Sequence, residues 1–276
     1  MHTKLIEKKI NSIQAALIPK DRVLVSFSGG VDSSVVAAIA HEALGENAIA
    51  CTAKSETLPK SELLDSISIA EEIGIQHEII NFSELDNPDF VLNDSFRCYH
   101  CQHMRFEKMY EFARELGIAT VCDGTNASDL NATHRPGLRA IRELEVFSPL
   151  LEFDVTKEGV RDIARFYDLS VAEKPSMACL SSRIPTGILV TSQRLARVEQ
   201  AESIIYALGF SQVRVRDHNG VARIEVGQHE LDRSKDPIFR KKAEESLLNI
   251  GFNEVIIDPS GYRTGGANSL PKKNNS

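Results

Sequence analysis

Two groups of residues in this chain have the types and spacing to do chemistry. The first is Ser26-Phe27-Ser28-Gly29-Gly30-Val31-Asp32-Ser33-Ser34, set between the apolar run RVLVSF and a stretch with helical spacing. Adjacent glycines bend the backbone sharply and leave its N–H groups uncovered for an incoming anion. The free N–H groups and positive dipole end of the following helix add to the same cradle. Ser28, Ser33 and Ser34 contribute hydroxyl donors, and Asp32, in the first helical turn, can cap the helix or hold a magnesium ion. No Gly-Lys-Ser/Thr ending is present, so this is not the phosphate loop that carries its own lysine.

The second group is made of thiols. Of the five cysteines, Cys98 and Cys101 stand at C-x-x-C spacing in Cys98-Tyr99-His100-Cys101, and Cys179 lies in a distant loop. Two sulfurs at that spacing aim at one centre, and Cys179 would make a third. An odd count argues against a disulfide framework. Ligand type leaves zinc open, with His100 or His103 as a fourth ligand. It also leaves a redox disulfide open, and a 4Fe-4S cluster on three thiolates whose remaining iron could bind a sulfide. The cluster is the preferred reading. Cys51 and Cys122 fall inside strand patterns and read as small core residues.

The elements that must position these groups follow from the alternation of short apolar runs and amphipathic stretches. Strands are expected at 22–27, 47–53, 77–81 and 119–122, with helices at 32–44, 60–73 and 104–116. This alternation predicts an α/β fold, a doubly wound parallel sheet with helices on both faces. The C-x-x-C pair is expected between the third strand and the helix from Met104. A short extended piece at 147–150 precedes a helix at 157–167. The second half reads as a smaller α+β domain: helix 191–208, a hairpin of 212–217 and 221–226 about Asn219-Gly220, helix 241–250 and strand 254–258. "ALGFSQVRV" and "NIGFNEVII" look like one another, which suggests one duplicated helix-Gly-Phe-strand unit. The expected division is 1–185 and 186–276.

Composition excludes some functions. A net charge of −7 disfavours a general nucleic-acid binder, which needs a basic surface to neutralise phosphates. No run approaches the ~18 apolar residues of a membrane span. The charged, helix-periodic N-terminus lacks the apolar core of a signal peptide, so a cytoplasmic protein is expected.

The segment Ser28-Gly29-Gly30-Val31-Asp32-Ser33 resembles the PP-loop, Ser-Gly-Gly-x-Asp-Ser, of the ATP pyrophosphatases, which have an adenine nucleotide alpha hydrolase-like fold. Nearly end to end the chain is similar to the LarE family of ATP-dependent sulfur transferases. The resemblance is carried by the PP-loop, Asp123-Gly124-Thr125-Asn126, Arg135-Pro136-Gly137-Leu138-Arg139-Ala140, Cys179-Leu180-Ser181-Ser182-Arg183, Val213-Arg214-Val215-Arg216 and Gly261-Tyr262-Arg263-Thr264-Gly265. It implies that 1–185 is a PP-loop ATP pyrophosphatase domain and 186–276 a substrate-binding and oligomerisation domain. It implies cleavage of ATP between the α and β phosphates, with Mg2+, Ser26, Ser28, Gly29, Gly30, Asp32, Ser33 and Ser34 at the phosphates. Ala53 and Ser55 would make a second nucleotide contact, and Asp123, Gly124, Thr125 and Asn126 would lie beside the adenylated group.

The implied substrate is a pyridinium-3,5-biscarboxylic acid mononucleotide, converted to thiocarboxylates on the way to the nickel-pincer cofactor of lactate racemase. Its phosphate would meet Arg214, Arg216 and Ser182. Arg214 and Arg216 alternate on one strand and so share a face. Arg135 and Arg139, with Arg142, form a basic group suited to the substrate carboxylates. Glu202 is a family-like position, read as a metal contact. Cys98, Cys101 and Cys179 would hold the 4Fe-4S cluster as sulfur carrier. The alternatives are Cys179 as a sacrificial donor and a PP-loop tRNA thiolase. A homo-oligomer, trimer or hexamer, is implied.

Overall fold

The computed structural model describes residues 2–131, 136–175 and 177–263. In chain order the elements are α1 (His2–Leu17), β1 (Val23–Ser26), α2 (Val31–Leu44), β2 (Ala48–Lys54), α3 (Lys60–Ile73), β3 (Gln76–Asn81), α4 (Pro88–Val91), α5 (Arg97–Glu115) and β4 (Thr120–Cys122). They continue with α6 (Pro136–Glu143), α7 (Pro149–Glu152), α8 (Lys157–Phe166), α9 (Ser192–Ala207), β5 (Val213–His218), β6 (Val221–Val226), α10 (Pro237–Asn249) and β7 (Glu254–Ile257). The chain forms two compact units. One is built from residues up to Ser83 and from Cys98 to Met177; the other takes Glu84–Arg97 and the chain from Ala178 onward.

The first unit centres on a parallel sheet in the order β3-β2-β1-β4. β1 and β2 are buried almost throughout, as near-continuous apolar runs must be when both sheet faces are covered. Val23 and Val25 pack with Ile13, Val35, Ile39 and Ile163 on one face. Leu24, Ile49 and Val121 pack with Phe106, Met109 and Ile141 on the other. The doubly wound α/β fold expected from the alternation is therefore present. β3, at the edge, is only partly covered. The extended piece at Phe147 adds a single parallel bridge to Cys122 beyond β4.

One boundary differs from expectation in a way that bears on chemistry. The helix expected from Met104 starts at Arg97, so Cys98 and Cys101 sit in its first turn. Phe106, Met109 and Ala113 anchor the helix in the core. Each residue added to an existing helix gains a hydrogen bond without a new nucleation cost, so the helix extends back through polar residues that carry no apolar stripe.

The second unit holds a sheet in the order β5-β6-β7. β5 and β6 pair antiparallel, and Asn219 and Gly220 both have positive φ (56° and 94°), the backbone of a tight two-residue hairpin turn. β7 pairs parallel to β6. The duplicated unit is real in structure: α9 and α10 each end at a left-handed glycine, Gly209 and Gly251, followed by buried Phe210 and Phe252 and then a strand. Those phenylalanines join Val213, Val215, Ala222, Ile224 and Val226 in the core beneath the helices.

Candidate active site

The chain leaves β1 for β2 on one side and returns to β4 on the other, so the strand order reverses at β1. In open parallel sheets the crevice outside the carboxyl ends at such a point is where ligands bind. The PP-loop follows β1 and Asp123–Asn126 follow β4, so the fold brings these two segments to that crevice.

Gly29 has φ +67°, and a Cβ there would stand 2.7 Å from Ser66 Cα, so only glycine fits. The loop folds on itself: the Ser28 N–H donates to Ser33 Oγ at 3.2 Å, the Ser33 hydroxyl to the Gly30 carbonyl at 3.1 Å, and the Gly30 N–H to Ser28 Oγ at 3.3 Å. Ser28 is exposed, and Ser26, at the end of β1, is half-buried.

Two expected roles in the loop shift. The N-cap of α2 is Gly30 with no side-chain cap, so Asp32 does not cap the helix. Asp32 instead accepts from Lys157 Nζ and, at 3.0 Å, from Asn126 Nδ2. Ser34, one position round the helix from Ser33, faces the core; its hydroxyl is fully buried without a hydrogen-bond partner.

Across β1, Gly124 lets the second segment close onto the first: a Cβ there would stand 2.8 Å from the Ser33 nitrogen and 3.0 Å from the Asp32 carbonyl carbon. Asp123 is buried and receives hydroxyl hydrogens from Thr125 and, at 2.5 Å, from Ser148. Burial pushes its carboxyl above the usual carboxylate range, and the two hydroxyls oppose that shift. Asn126 and the Ser128 region are tied to the start of α8 by Ala127 N–H to Val155 O at 2.9 Å and Lys157 N–H to Ser128 Oγ at 2.9 Å. A cavity of about 400 Å³ runs beside β4 and reaches Thr125 and Ser148, with Lys20, Arg142 and Glu145 on its walls. Ala53 closes the buried part of β2, and the half-buried Ser55 follows it with its hydroxyl 3.2 Å from that of Thr57.

Arg135 lies outside the described residues. Arg139 is exposed on α6, paired with Glu143 at 2.6 Å and stacked over the Tyr99 ring at 5.2 Å. Tyr99 donates to the same Glu143 at 2.6 Å, which fixes α6 against the first turn of α5.

In the second unit Arg214 and Arg216 share a sheet face with Arg223 and Glu225, as the strand register requires. Alternation alone allows a solvated outer face. At 6% and 4% exposure, Arg214 and Arg216 are instead buried. Arg216 Nη2 pairs with Glu225 at 2.9 Å, and its Nη1 donates to the Ser182 carbonyl at 3.0 Å. Arg223 pairs with Glu225 at 2.9 Å and Asp258 at 2.6 Å. Arg214 lies over the Tyr262 ring. Guanidiniums gathered on one face are the groups that bind a phosphate through paired hydrogen bonds. Ser182 takes part through its hydroxyl as well, which accepts from Arg183 Nη1 at 3.1 Å. Glu202, expected as a metal contact, is bidentate to the fully buried Arg183 and accepts the Val215 N–H at 3.0 Å.

The thiols fall into two classes. Burial pushes Cys51 and Cys122 up to about 12, as inert core residues. Cys98 is exposed, Cys101 is buried with Arg105 Nη2 at 3.5 Å, and Cys179 is half-buried with Sγ 3.1 Å from Ser181 Oγ. Cys98 and Cys101, three apart on one helix turn, share a face and could supply two thiolates to one metal group. Among the described residues no three His, Cys, Asp or Glu side chains converge as metal ligands.

Sequence reasoning missed Lys157 and Ser148. Lys157 reaches Asp32 across 125 positions, and neither Lys157 nor Ser148 belongs to a local motif.

Comparisons with known proteins agree with this geometry. The NAD synthase family model matches residues 2–108. An uncharacterized protein of Synechocystis sp. is 37% identical over 98% of this chain and 100% of its own length. The pyridinium-3,5-bisthiocarboxylic acid mononucleotide synthase of Lactiplantibacillus plantarum is 34% identical over 95% of this chain and 94% of its own. The tRNA-specific 2-thiouridylase MnmA of Ruegeria sp. is more distant, at 26% identity over 92% of this chain and 75% of its own. With a phosphate-binding crevice of PP-loop form and near full-length identity above 30%, the chain belongs to the LarE family of ATP-dependent sulfurtransferases.

Proposed function

We propose that this enzyme adenylates the carboxylates of a pyridinium-3,5-biscarboxylic acid mononucleotide and replaces the activated oxygen with sulfur, as a step towards a nickel-pincer nucleotide. The name of the Lactiplantibacillus plantarum relative states the thiocarboxylate product. The observation that carries the reading is the crevice itself: the PP-loop, bent at Gly29 with φ +67°, and Asp123–Asn126 meet beyond the carboxyl ends of β1 and β4 at the N-terminus of α2, the kind of place where a phosphate chain binds.

A carboxylate is a poor electrophile because its leaving group would be an oxide. Attack of a carboxylate oxygen on the α phosphorus of ATP forms an acyl-adenylate and expels pyrophosphate. Ser28, Gly29, Gly30 and Ser33 hold the departing pyrophosphate; Thr125 and Asn126, beside Asp123, orient the acyl-adenylate. Ala53 and Ser55 contact the nucleotide, while Ser26 and Ser34 support the loop from below. Asp32 presents a half-exposed carboxylate oxygen, a hard donor of the kind Mg2+ takes. When bound, Mg2+ screens the repulsion between the anions. Arg214 and Arg216, with Ser182, meet the phosphate of the mononucleotide, and Arg139 and Arg135 meet its carboxylates. A thiolate or sulfide then attacks the acyl carbon and AMP leaves; where the thiolate is Cys179, the thioester so formed yields the thiocarboxylate when the Cys179 Cα proton is lost and the Cβ–S bond breaks, leaving dehydroalanine.

Cys179 is the thiol that supports this last step, being half-exposed and flanked by Arg183, whose Nη1 donates to the Cys179 carbonyl at 2.9 Å. A 4Fe-4S cluster on Cys98, Cys101 and Cys179 is the other carrier, for which Cys98 and Cys101 would supply two thiolates from one helix turn. Iron and sulfide analysis of anaerobically purified protein separates the two. A homo-oligomer, trimer or hexamer, completes the proposal, with the phosphate site at a subunit boundary.

The test is AMP and pyrophosphate release by purified protein given ATP, Mg2+ and the dicarboxylate mononucleotide, with mass spectrometry of the nucleotide for oxygen-to-sulfur exchange. Release dependent on tRNA, with none on the mononucleotide, would replace this reading by a tRNA thiolase.

A further inference from the structure

The PP-loop poses a charge problem that its own residues do not solve. Residues 26–34 carry a single charge, and it is negative: Asp32. The pyrophosphate that must leave is strongly anionic, and phosphoryl transfer is helped chiefly by cations placed where that charge develops. The structure places one ammonium at the loop. Lys157 Nζ is paired with Asp32, and its side chain is 30% exposed, so the group is held at the crevice without being sealed in.

The position of Lys157 is built rather than incidental. It is the first residue of α8, behind the N-cap Thr156, whose hydroxyl accepts the Gly159 N–H at 3.3 Å. Its own N–H is fixed on Ser128 Oγ, and Val155 is fixed on Ala127. Residues 126–128 thus strap the start of α8 beside the very carboxylate that Asn126 also holds. The strap fixes the Lys157 backbone, while four methylenes leave the ammonium free to change partner.

We propose that Lys157 is a catalytic residue of the adenylation step: it rests on Asp32 in the free enzyme and transfers to the pyrophosphate oxygens when magnesium and nucleotide arrive. The inference rests on the adenylation reading above. As the carboxylate oxygen–phosphorus bond forms and the α–β bridging bond breaks, the leaving oxygen keeps the electron pair, and the ammonium stabilises the added charge without giving up a proton. Asp32 is released at the same moment to the metal ion, since two cations would compete for one carboxylate. The lysine that other phosphate loops carry within the loop is here supplied from α8.

The test uses magnesium pyrophosphate itself, so that it does not depend on the acyl substrate. Titration calorimetry on the full-length protein should show affinity for magnesium pyrophosphate falling about 10- to 100-fold in Lys157→Gln. AMP affinity should stay unchanged, and Lys157→Arg should retain most of the binding. Methylammonium should restore part of the pyrophosphate affinity of Lys157→Ala, which a purely structural role would not allow. Equal pyrophosphate affinity in wild type and Lys157→Gln, with both melting at the same temperature, overturns the proposal; so does equal weakening of AMP and pyrophosphate. If wild type binds magnesium pyrophosphate through Lys157 but releases none with the mononucleotide, the substrate reading fails and the lysine assignment stands.

Discussion

In the first unit the crevice is lined by backbone amides and serine and threonine hydroxyls, with one ion pair, Asp32–Lys157, at its edge. In the second, Arg214, Arg216, Arg223, Glu225 and Asp258 are packed on and around one buried sheet face, and Arg183–Glu202 lies in the same unit. Both arrangements suit an anion, but they fail for different reasons. The first depends on space: a cradle of amides works only while nothing fills it. The second depends on compensation: each buried charge is tolerated because its partner is present, and the favourable net term is small.

That contrast predicts a ranking of substitutions. The largest loss should come from the second unit. Arg183→Leu leaves Glu202 buried with no cation, and should cost about 3–5 kcal/mol in chemical denaturation; a cost below ~1 kcal/mol would mean that Glu202 is served by solvent and the compensation argument fails. Next comes Gly29→Ala. It forces a side chain into a φ of +67° against Ser66, and should cost roughly 1–3 kcal/mol. Pyrophosphate release should fall far more than stability does, because the cradle itself is displaced. Retained turnover in that variant would break the claim that the first unit works by empty space.

A smaller effect of opposite sign sharpens the comparison. Asp123 is a buried carboxylate whose side-chain partners among the described residues are the Thr125 and Ser148 hydroxyls, and its folded-state pKa is raised. A raised carboxyl favours the folded state below the unfolded pKa and loses that contribution as pH rises through the folded value. At neutral pH the charge therefore opposes folding, and Asp123→Asn should melt a few degrees higher while turning over poorly. A lower melting temperature at neutral pH would show that the charge is compensated after all. The smallest effect concerns His77 on β3, whose pKa burial lowers and whose Nε2 meets Thr52 Oγ1 at 2.8 Å. A lowered histidine supports folding above its unfolded pKa and loses that support as pH falls through the folded value. His77→Gln should flatten the acid side of the stability profile below about pH 6.5.

Much of the fold was legible in the sequence. Apolar runs long enough to be buried on both faces mark β1 and β2, and the glycine–phenylalanine pairs mark both helix ends in the second unit. The PP-loop was legible because its chemistry is local: nine consecutive residues make the bend, the amides and the hydroxyls. The start of α5 was not, because a polar helical turn has no apolar period to betray it. The burial of Arg214 and Arg216 was not either, since alternation on a strand says which residues share a face and is silent on what covers that face.

The sequence alone determined the strand–helix order, the glycines that must sit in left-handed or crowded backbone, and the identity of the anion-binding loop, since each depends on neighbours a few positions apart. Only the tertiary structure decided that β4 lies beside β1, that Asp32 is held by a lysine 125 positions away rather than capping its own helix, and that Glu202 is held by Arg183. Those outcomes depend on which distant segments the packed core brings within hydrogen-bond reach, and no local spacing of residue types encodes that distance.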